Sequence, residues 1–291
     1  MKTIDAPTLA SSAMLCNLSF SMWGDVRKDK QAGRQTAQSN QAEEESVKVS
    51  VNLLSKCAQL DAIKKFAGKA RTEFRSKTLP WSDDGQRLVP TAVYFDLTQH
   101  VSEQQQQWSE LVEEFLDVYE FECMAMQAKL GALYKPEKYP TVDELRSKFD
   151  MRVKFSPLPI AGDFRVDVGN TANEALRDQY RENFKLALEQ AESHIWERLT
   201  PLLERMSTQL HDENGKAKRI YDSLVGNVEE MIEFMDVCNL TNDPKIARVQ
   251  TELARALRGV TTDTLRNSAS MRATTKEAID AVIDNLPSLD M

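Results

Sequence analysis

LCNLSFSMWGDVRKDKQ, Leu15 to Gln31, changes character twice along its length. Leu18, Phe20 and Met22 alternate with Ser19 and Ser21, the period-two signature of a half-buried strand. Trp23-Gly24 ends the alternation, and Arg27, Lys28 and Lys30 begin a basic run. The stretch therefore predicts a core strand over Leu15–Trp23 that turns at Gly24 into a charged surface. Trp23 is read as packing into the core, with stacking on a nucleic-acid base as the alternative. The expected partner strand is Asp163–Val168, where Phe164, Val166 and Val168 alternate with Arg165 and Asp167.

A strand of this kind needs covering helices, and the remaining sequence predicts them. Only ten glycines and ten prolines occur in 291 residues, so turns are few and elements long. That argues against a many-stranded sandwich or barrel. Residues 31–45 are polar and read as a loop or a frayed helix start. A helix is expected from Glu43 to Lys77 on the spacing of Val47, Val51, Leu54, Ala58, Ile63, Ala67, Ala70 and Phe74. Pro80, Gly85 and Pro90 mark a loop, and residues 91–98 (TAVYFDLT) admit a short strand or a single helical turn. A second helix runs from Ser102 to Leu133 on Trp108, Val112, Phe115, Tyr119, Cys123, Met126, Leu130 and Leu133. The prolines of residues 135–140 (KPEKYP) stop it. A short helix over Thr141–Phe149 and a strand-like stretch at residues 153–160 follow.

Beyond Thr171 the pattern is helical to the end. Thr171 and Glu174 form a capping box. Leu176, Tyr180, Phe184, Ala187, Ala191, Ile195, Leu199, Leu202, Met206 and Leu210 recur about every 3.8 residues, which favours a slow right-handed wrap over a heptad coiled coil. Thr200-Pro201 with Glu204 is expected to kink or restart this helix as a second capping box. After residues 214–216 (NGK) comes a helix on Ile220, Leu224, Val228, Met231, Met235 and Cys238. Asn242-Asp-Pro244 opens one on Ile246, Val249, Leu253 and Leu257. Thr274 and Glu277 cap a last one on Ile279, Val282 and Leu286. The expected fold is α+β, mostly α: long amphipathic helices in an elongated bundle, with a small sheet from the N-terminal and mid-chain strands. Its expected division is an N-terminal α+β domain at 1–170 and a C-terminal helical region at 171–291.

Charge is uneven. Residues 1–77 hold 13 Lys/Arg against 8 Asp/Glu, a net +5, whereas the whole chain carries −8. Such asymmetry fits a nucleic-acid face or a basic half that meets an acidic one. Cys16, Cys57, Cys123 and Cys238 make no CxxC pair and read as buried apolar residues of a reducing compartment. No apolar run reaches the roughly 18 residues of a membrane span, and the N-terminus lacks the continuous apolar stretch of a signal peptide. A cytoplasmic protein is expected.

Catalytic motifs are absent. There is no HExxH, no Glu-x-x-His pair for a di-iron bundle, no GxSxG elbow, and no GxxxxGK or GxGxxG loop. His194 beside Trp196 reads as a packing histidine and His211 as a solvated helix end. An enzyme would need a site assembled from distant residues around His100 or His194. No cofactor or metal is expected. Gln104 to Gln107 read as an exposed helix surface.

The strongest charge signal is KKFAGKARTEFRSK, Lys64 to Lys77, with Lys64, Lys65, Lys69, Arg71, Arg75 and Lys77 against Glu73 alone. Helical spacing aligns Lys64 with Arg71. Together with Arg27, Lys28, Lys30 and Arg34 these side chains could track phosphates. The competing reading is a solvated face over a core of Phe66 and Phe74.

The N-terminal strand ending in Trp23 and Gly24 with basic Arg27, Lys28 and Lys30, the helix pair after it, and residues 143–166 with Phe149, Phe155 and Phe164 resemble a family of phages and bacteria. It is catalogued as a domain of unknown function, number 3150. The resemblance covers about residues 12–170; Gly24 directly follows Trp23, where the family spaces the two. It implies no reaction and no catalytic residues. It implies, by gene association, an adaptor or substrate of a MoxR-type AAA+ ATPase. The expected function is a non-enzymatic, self-associating interaction or assembly protein of phage type, working in the host cytoplasm. The alternatives are a single- or double-stranded nucleic-acid binder of phage DNA metabolism, and an anti-host-defence protein.

Overall fold

The computed structural model describes residues 11–82, 84–159, 170–211 and 218–287, with the side chains of 170–177 excepted. The protein is mostly helical, with a small sheet, in α+β arrangement. The opening stretch does form a strand, β1 (Ala13–Ser21), with Ala13, Leu15 and Cys16 buried. Its described partner is β5 (Arg87–Pro90), antiparallel, with Leu15 opposite Leu88. β5 in turn pairs with β4 (Leu79–Pro80). The strand order is β4-β5-β1-β6, where β6 is Asp150–Pro157. The anticipated partner Asp163–Val168 lies outside the described residues. The loop expected around Pro80 to Pro90 is thus a hairpin, and Gly85 at φ +88° makes its turn, a conformation that a side chain resists.

Two compact units emerge. One comprises residues 1–17, 75–97 and 155–291; the other comprises 18–74 and 98–154. Neither is a continuous stretch of chain.

In the second unit the polar stretch after Gly24 is more ordered than its composition suggests. β2 (Val26–Lys28) pairs antiparallel with β3 (Ser50–Asn52), and α1 (Lys30–Ser39) follows immediately. Asp29 caps α1 by accepting from the Gln31 and Ala32 amides at 3.0 and 3.1 Å. The single helix expected over Glu43–Lys77 is therefore corrected. Its first part holds β3, and α2 (Ala58–Ser76) starts only after Lys56 at φ 64°. Val51 and Leu53 are buried around exposed Asn52, which is period two and not a helical stripe. On α2 the expected stripe Ile63, Ala67, Ala70 and Phe74 is buried.

α3 (Tyr94–Leu130) begins eight residues earlier than Ser102, resolving the ambiguous residues 91–98 as a 3-10 turn running into helix. Trp108, Val112, Phe115, Tyr119 and Met126 are buried as the spacing predicts, and Phe115 meets the rings of Tyr119 and Phe149 at 5.8 and 5.7 Å. Such edge-to-face contacts add about 0.5–1.5 kcal/mol each to simple burial. α4 (Val142–Arg146) carries a complete Thr141–Glu144 capping box.

The first unit is built on α5 (Asn170–Leu210), which runs through Pro201 without a break, so the expected restart does not occur. Glu204 stands four residues after Thr200, where a capping box needs three. The buried stripe is Ala191, Ile195, Leu199, Leu203, Met206 and Leu210, with Leu203 taking the place expected for Leu202. The side chains of Thr171, Glu174 and Leu176, and residues 214–216, lie outside what is described. α6 (Ser223–Cys238) and α7 (Pro244–Ala256) bury the expected residues, and Asp243 caps α7 through the Lys245 amide at 2.8 Å. A short α8 (Thr262–Asn267) was not expected, and α9 (Ala269–Ile283) starts at Ser268, whose hydroxyl accepts from the Met271 amide. Thr274 is inside α9 and does not cap it. These helices share one core with Ala13, Leu15, Leu79 and Leu88 of the strands.

Candidate functional site

Arg27 and Lys28 lie on β2 with all three strand residues exposed, and Lys30 opens α1, also exposed. Arg34 pairs with Glu44 at 3.2 Å. Lys64 reaches Asp25 at 3.0 Å and Lys69 reaches Glu73 at 3.5 Å. Arg71 lays its guanidinium over the Phe20 ring at 4.7 Å. Lys65 is exposed. These groups share the second unit. Arg75 and Lys77 belong to the first, and both are exposed. Arg34, Lys64, Lys69 and Arg71 are thus committed to neighbours inside the protein. Trp23 is 3% exposed and meets Tyr119 edge-on at 6.0 Å, so it packs and offers no face to a base.

Asp29 was not singled out from the sequence, yet it gathers several partners in this unit. Besides capping α1 it takes Lys135 at 2.8 Å and Lys138 at 3.4 Å while its side chain is 1% exposed. The Lys135 hydrogen bond and the Ala32 amide hold its carboxyl well below the usual range. The role is structural: it ties the start of α1 to the segment after α3.

Of the two histidines raised as possible centres, His100 stands in a cleft of about 160 Å³ lined by Phe66, Lys69, Ala70, Glu73, Gln104 and neighbours. Its Nε2 is 3.3 Å from Glu73, and Gln104 donates to the same carboxylate at 2.7 Å. Gln104 is therefore buried and engaged, not part of an exposed glutamine surface. No serine, threonine or cysteine lines this cleft among the described residues. His194 contacts Glu197 at 3.4 Å, and burial pushes its imidazole toward the neutral form. Among the described residues no three His, Cys, Asp or Glu side chains gather to hold a metal ion. None of the described helices is long and apolar enough to cross a membrane.

In the first unit, two half-buried arginines serve the end of α2. Arg87 donates to the Thr78 hydroxyl at 2.9 Å and to the Thr78 and Arg75 carbonyls at 2.6 and 3.1 Å. Arg198 donates to the Ser76 carbonyl at 2.9 Å and stacks on Phe234 at 4.0 Å. Guanidinium groups on the free carbonyls of a helix C-terminus are satisfied there by both hydrogen bonds and dipole. They are occupied structural cations.

What sequence reasoning missed is an outward apolar face on α3. Phe121 is 71% exposed and Met124 66%. With Glu114, Asp117 and Ala128, all exposed, they occupy one side of the helix, opposite the buried Trp108–Met126 stripe. The signal was present: residues 115–126 carry more apolar side chains than one buried stripe can use.

No protein-family model, no characterised protein and no solved structure matches the chain.

Proposed function

We propose that this protein works by contact and not by chemistry, as a self-associating interaction or assembly protein whose contact surface is the outer face of α3. The observation that carries the reading is the pairing of Phe121 and Met124 on one side of α3, both largely exposed, while the other side is packed. Isolated exposed apolar residues are ordinary; two aligned ones flanked by carboxylates make a docking face. Full burial of each side chain contributes about 1.5–3 kcal/mol. Sedimentation velocity over a range of concentrations tests it. The expected result is a concentration-dependent shift that Phe121→Glu with Met124→Glu abolishes; a monomer at every concentration overturns it. The resemblance of the Trp23-Gly24 segment to the phage and bacterial family supports a further element, that a MoxR-type AAA+ ATPase remodels the assembly. Stimulation of such an ATPase by the purified protein tests that element.

A second reading, nucleic-acid binding, is favoured by Arg27, Lys28, Lys30 and Lys65, exposed and without a carboxylate partner among the described residues. It is tested by titrating labelled single- and double-stranded DNA at two salt concentrations. Affinity that falls steeply with salt supports it through counterion release, and no binding at low salt removes it.

A further inference from the structure

A groove runs between α7 and α9 in the first unit. It has a volume of about 480 Å³ and is open to solvent. One wall is the α9 face Thr274, Ala278 and Ala281, small or short side chains spaced four and three apart, with Asn285 just beyond the helix end. Val260 and Val282, both buried, make its floor. Arg255 and Arg258 stand at the other wall, exposed, and no carboxylate pairs with either among the described residues. Glu252, on the same wall, is matched to Arg248 one turn before it on α7 at 3.6 Å. Small side chains let a second helix approach closely, and the two free cations select what that helix must carry beside its apolar residues.

The same chain displays such a helix. On the outer face of α3, Glu114 and Asp117 come first and Phe121, Met124 and Ala128 follow, all on one side. No cation pairs with Glu114 or Asp117 among the described residues. From Glu114 to Met124 is about 15 Å along a helix axis, the length of a groove between two helices of this size. Resting on the self-association proposed above, we propose that the occupant of the α7–α9 groove is the α3 face of a second copy, with Phe121 and Met124 over the Ala278–Ala281 wall and the two carboxylates at Arg255 and Arg258. The two surfaces are different, so the contact is head-to-tail. It closes into a reciprocal pair or a ring, or continues as a chain of copies.

Charge exchange tests it on the full chain. Arg255→Glu with Arg258→Glu removes one surface, and Glu114→Arg with Asp117→Arg removes the other. Each variant alone is expected to weaken self-association by at least about tenfold. Mixed in equal amounts, the two recover association as alternating copies, because the α3 face of each variant then meets a groove of opposite charge on the other. Ala278→Trp, which fills the groove without touching charge, is expected to give the same loss, and circular dichroism confirms that it folds. If Phe121→Glu with Met124→Glu dissociates the protein while the arginine pair and Ala278→Trp leave association intact, the α3 face meets another surface: the head-to-tail pairing is overturned and the assembly reading stands. If the unmodified protein is monomeric throughout, both fall.

Discussion

The Asp29 carboxylate lies 2.8 Å from the Lys135 ammonium while its other oxygen holds the first amides of α1. One side chain thereby fixes the helix start and the segment after α3 together. Its carboxyl is held below the ordinary value of 3.8, chiefly by the Lys135 hydrogen bond. Stability from a depressed carboxylate is present above the unfolded value and is lost as pH falls through the folded one. Acid titration of the melting temperature should therefore show a loss setting in below about pH 4. Asp29→Asn should melt lower at neutral pH and show a shallower acid slope; an unchanged slope would remove Asp29 as its source.

Phe115 is fully buried between Tyr119 and Phe149. Phe115→Ala should cost about 3–5 kcal/mol in urea unfolding, as truncation of a large core ring does. A cost under 1 kcal/mol, read against the about 3 expected, would mean that this packing is not formed.

Arg87→Met keeps the side-chain bulk but removes three donors from the end of α2. A lost hydrogen bond costs about 0.5–1.5 kcal/mol net, so a total near 2 kcal/mol is expected for the three at this half-exposed turn. Arg87→Lys should recover only part, since an ammonium lacks the planar fork.

Burial pushes the thiols of Cys16 and Cys238 up to about 12. The thiolate is the reactive form. Near neutral pH neither should react with a thiol reagent in the native protein, and both should react in guanidinium. Rapid native labelling at either position would contradict their burial.

Proline inside a helix removes a backbone hydrogen bond and clashes with the preceding turn, at about 3 kcal/mol. α5 nevertheless runs through Pro201, which is exposed. Pro201→Ala should raise the unfolding midpoint, by up to that amount. A lowered midpoint would mean that the proline ring contributes to the α5 packing.

Where one face of a long helix is buried, residue spacing carried the reading: Trp108 to Met126 and Ile195 to Leu210 sit almost as their periods require. The failures cluster where two periods overlap. Val47, Val51 and Leu54 satisfy a helical stripe, yet Val47, Val49, Val51 and Leu53 also alternate, and they are β-branched in three of four positions. Backbone pairing with Val26–Lys28 decided the matter, and pairing is non-local. Lys56 in a left-handed conformation leaves no mark in composition. The Leu79–Pro90 hairpin was hidden by strands too short to show a period. The basic residues were visible by type, but only geometry shows that Lys64, Lys69 and Arg71 are engaged. Phe121 and Met124 were counted as ordinary apolar residues because spacing identifies a buried stripe more readily than a surplus one.

The partition of the chain has a consequence for biosynthesis. The unit made of residues 18–74 and 98–154 can complete as soon as residue 154 has left the ribosome. The other unit unites the first strand with helices that end beyond residue 280, and its Leu15 and Leu88 share a core with Ile279 and Val282. Those early strands must wait until residues 279–282 have been translated, at about 5–20 residues per second. Through that interval the apolar side chains of those strands lack their cover on every nascent chain, which makes it the one in which this protein most needs a holding chaperone.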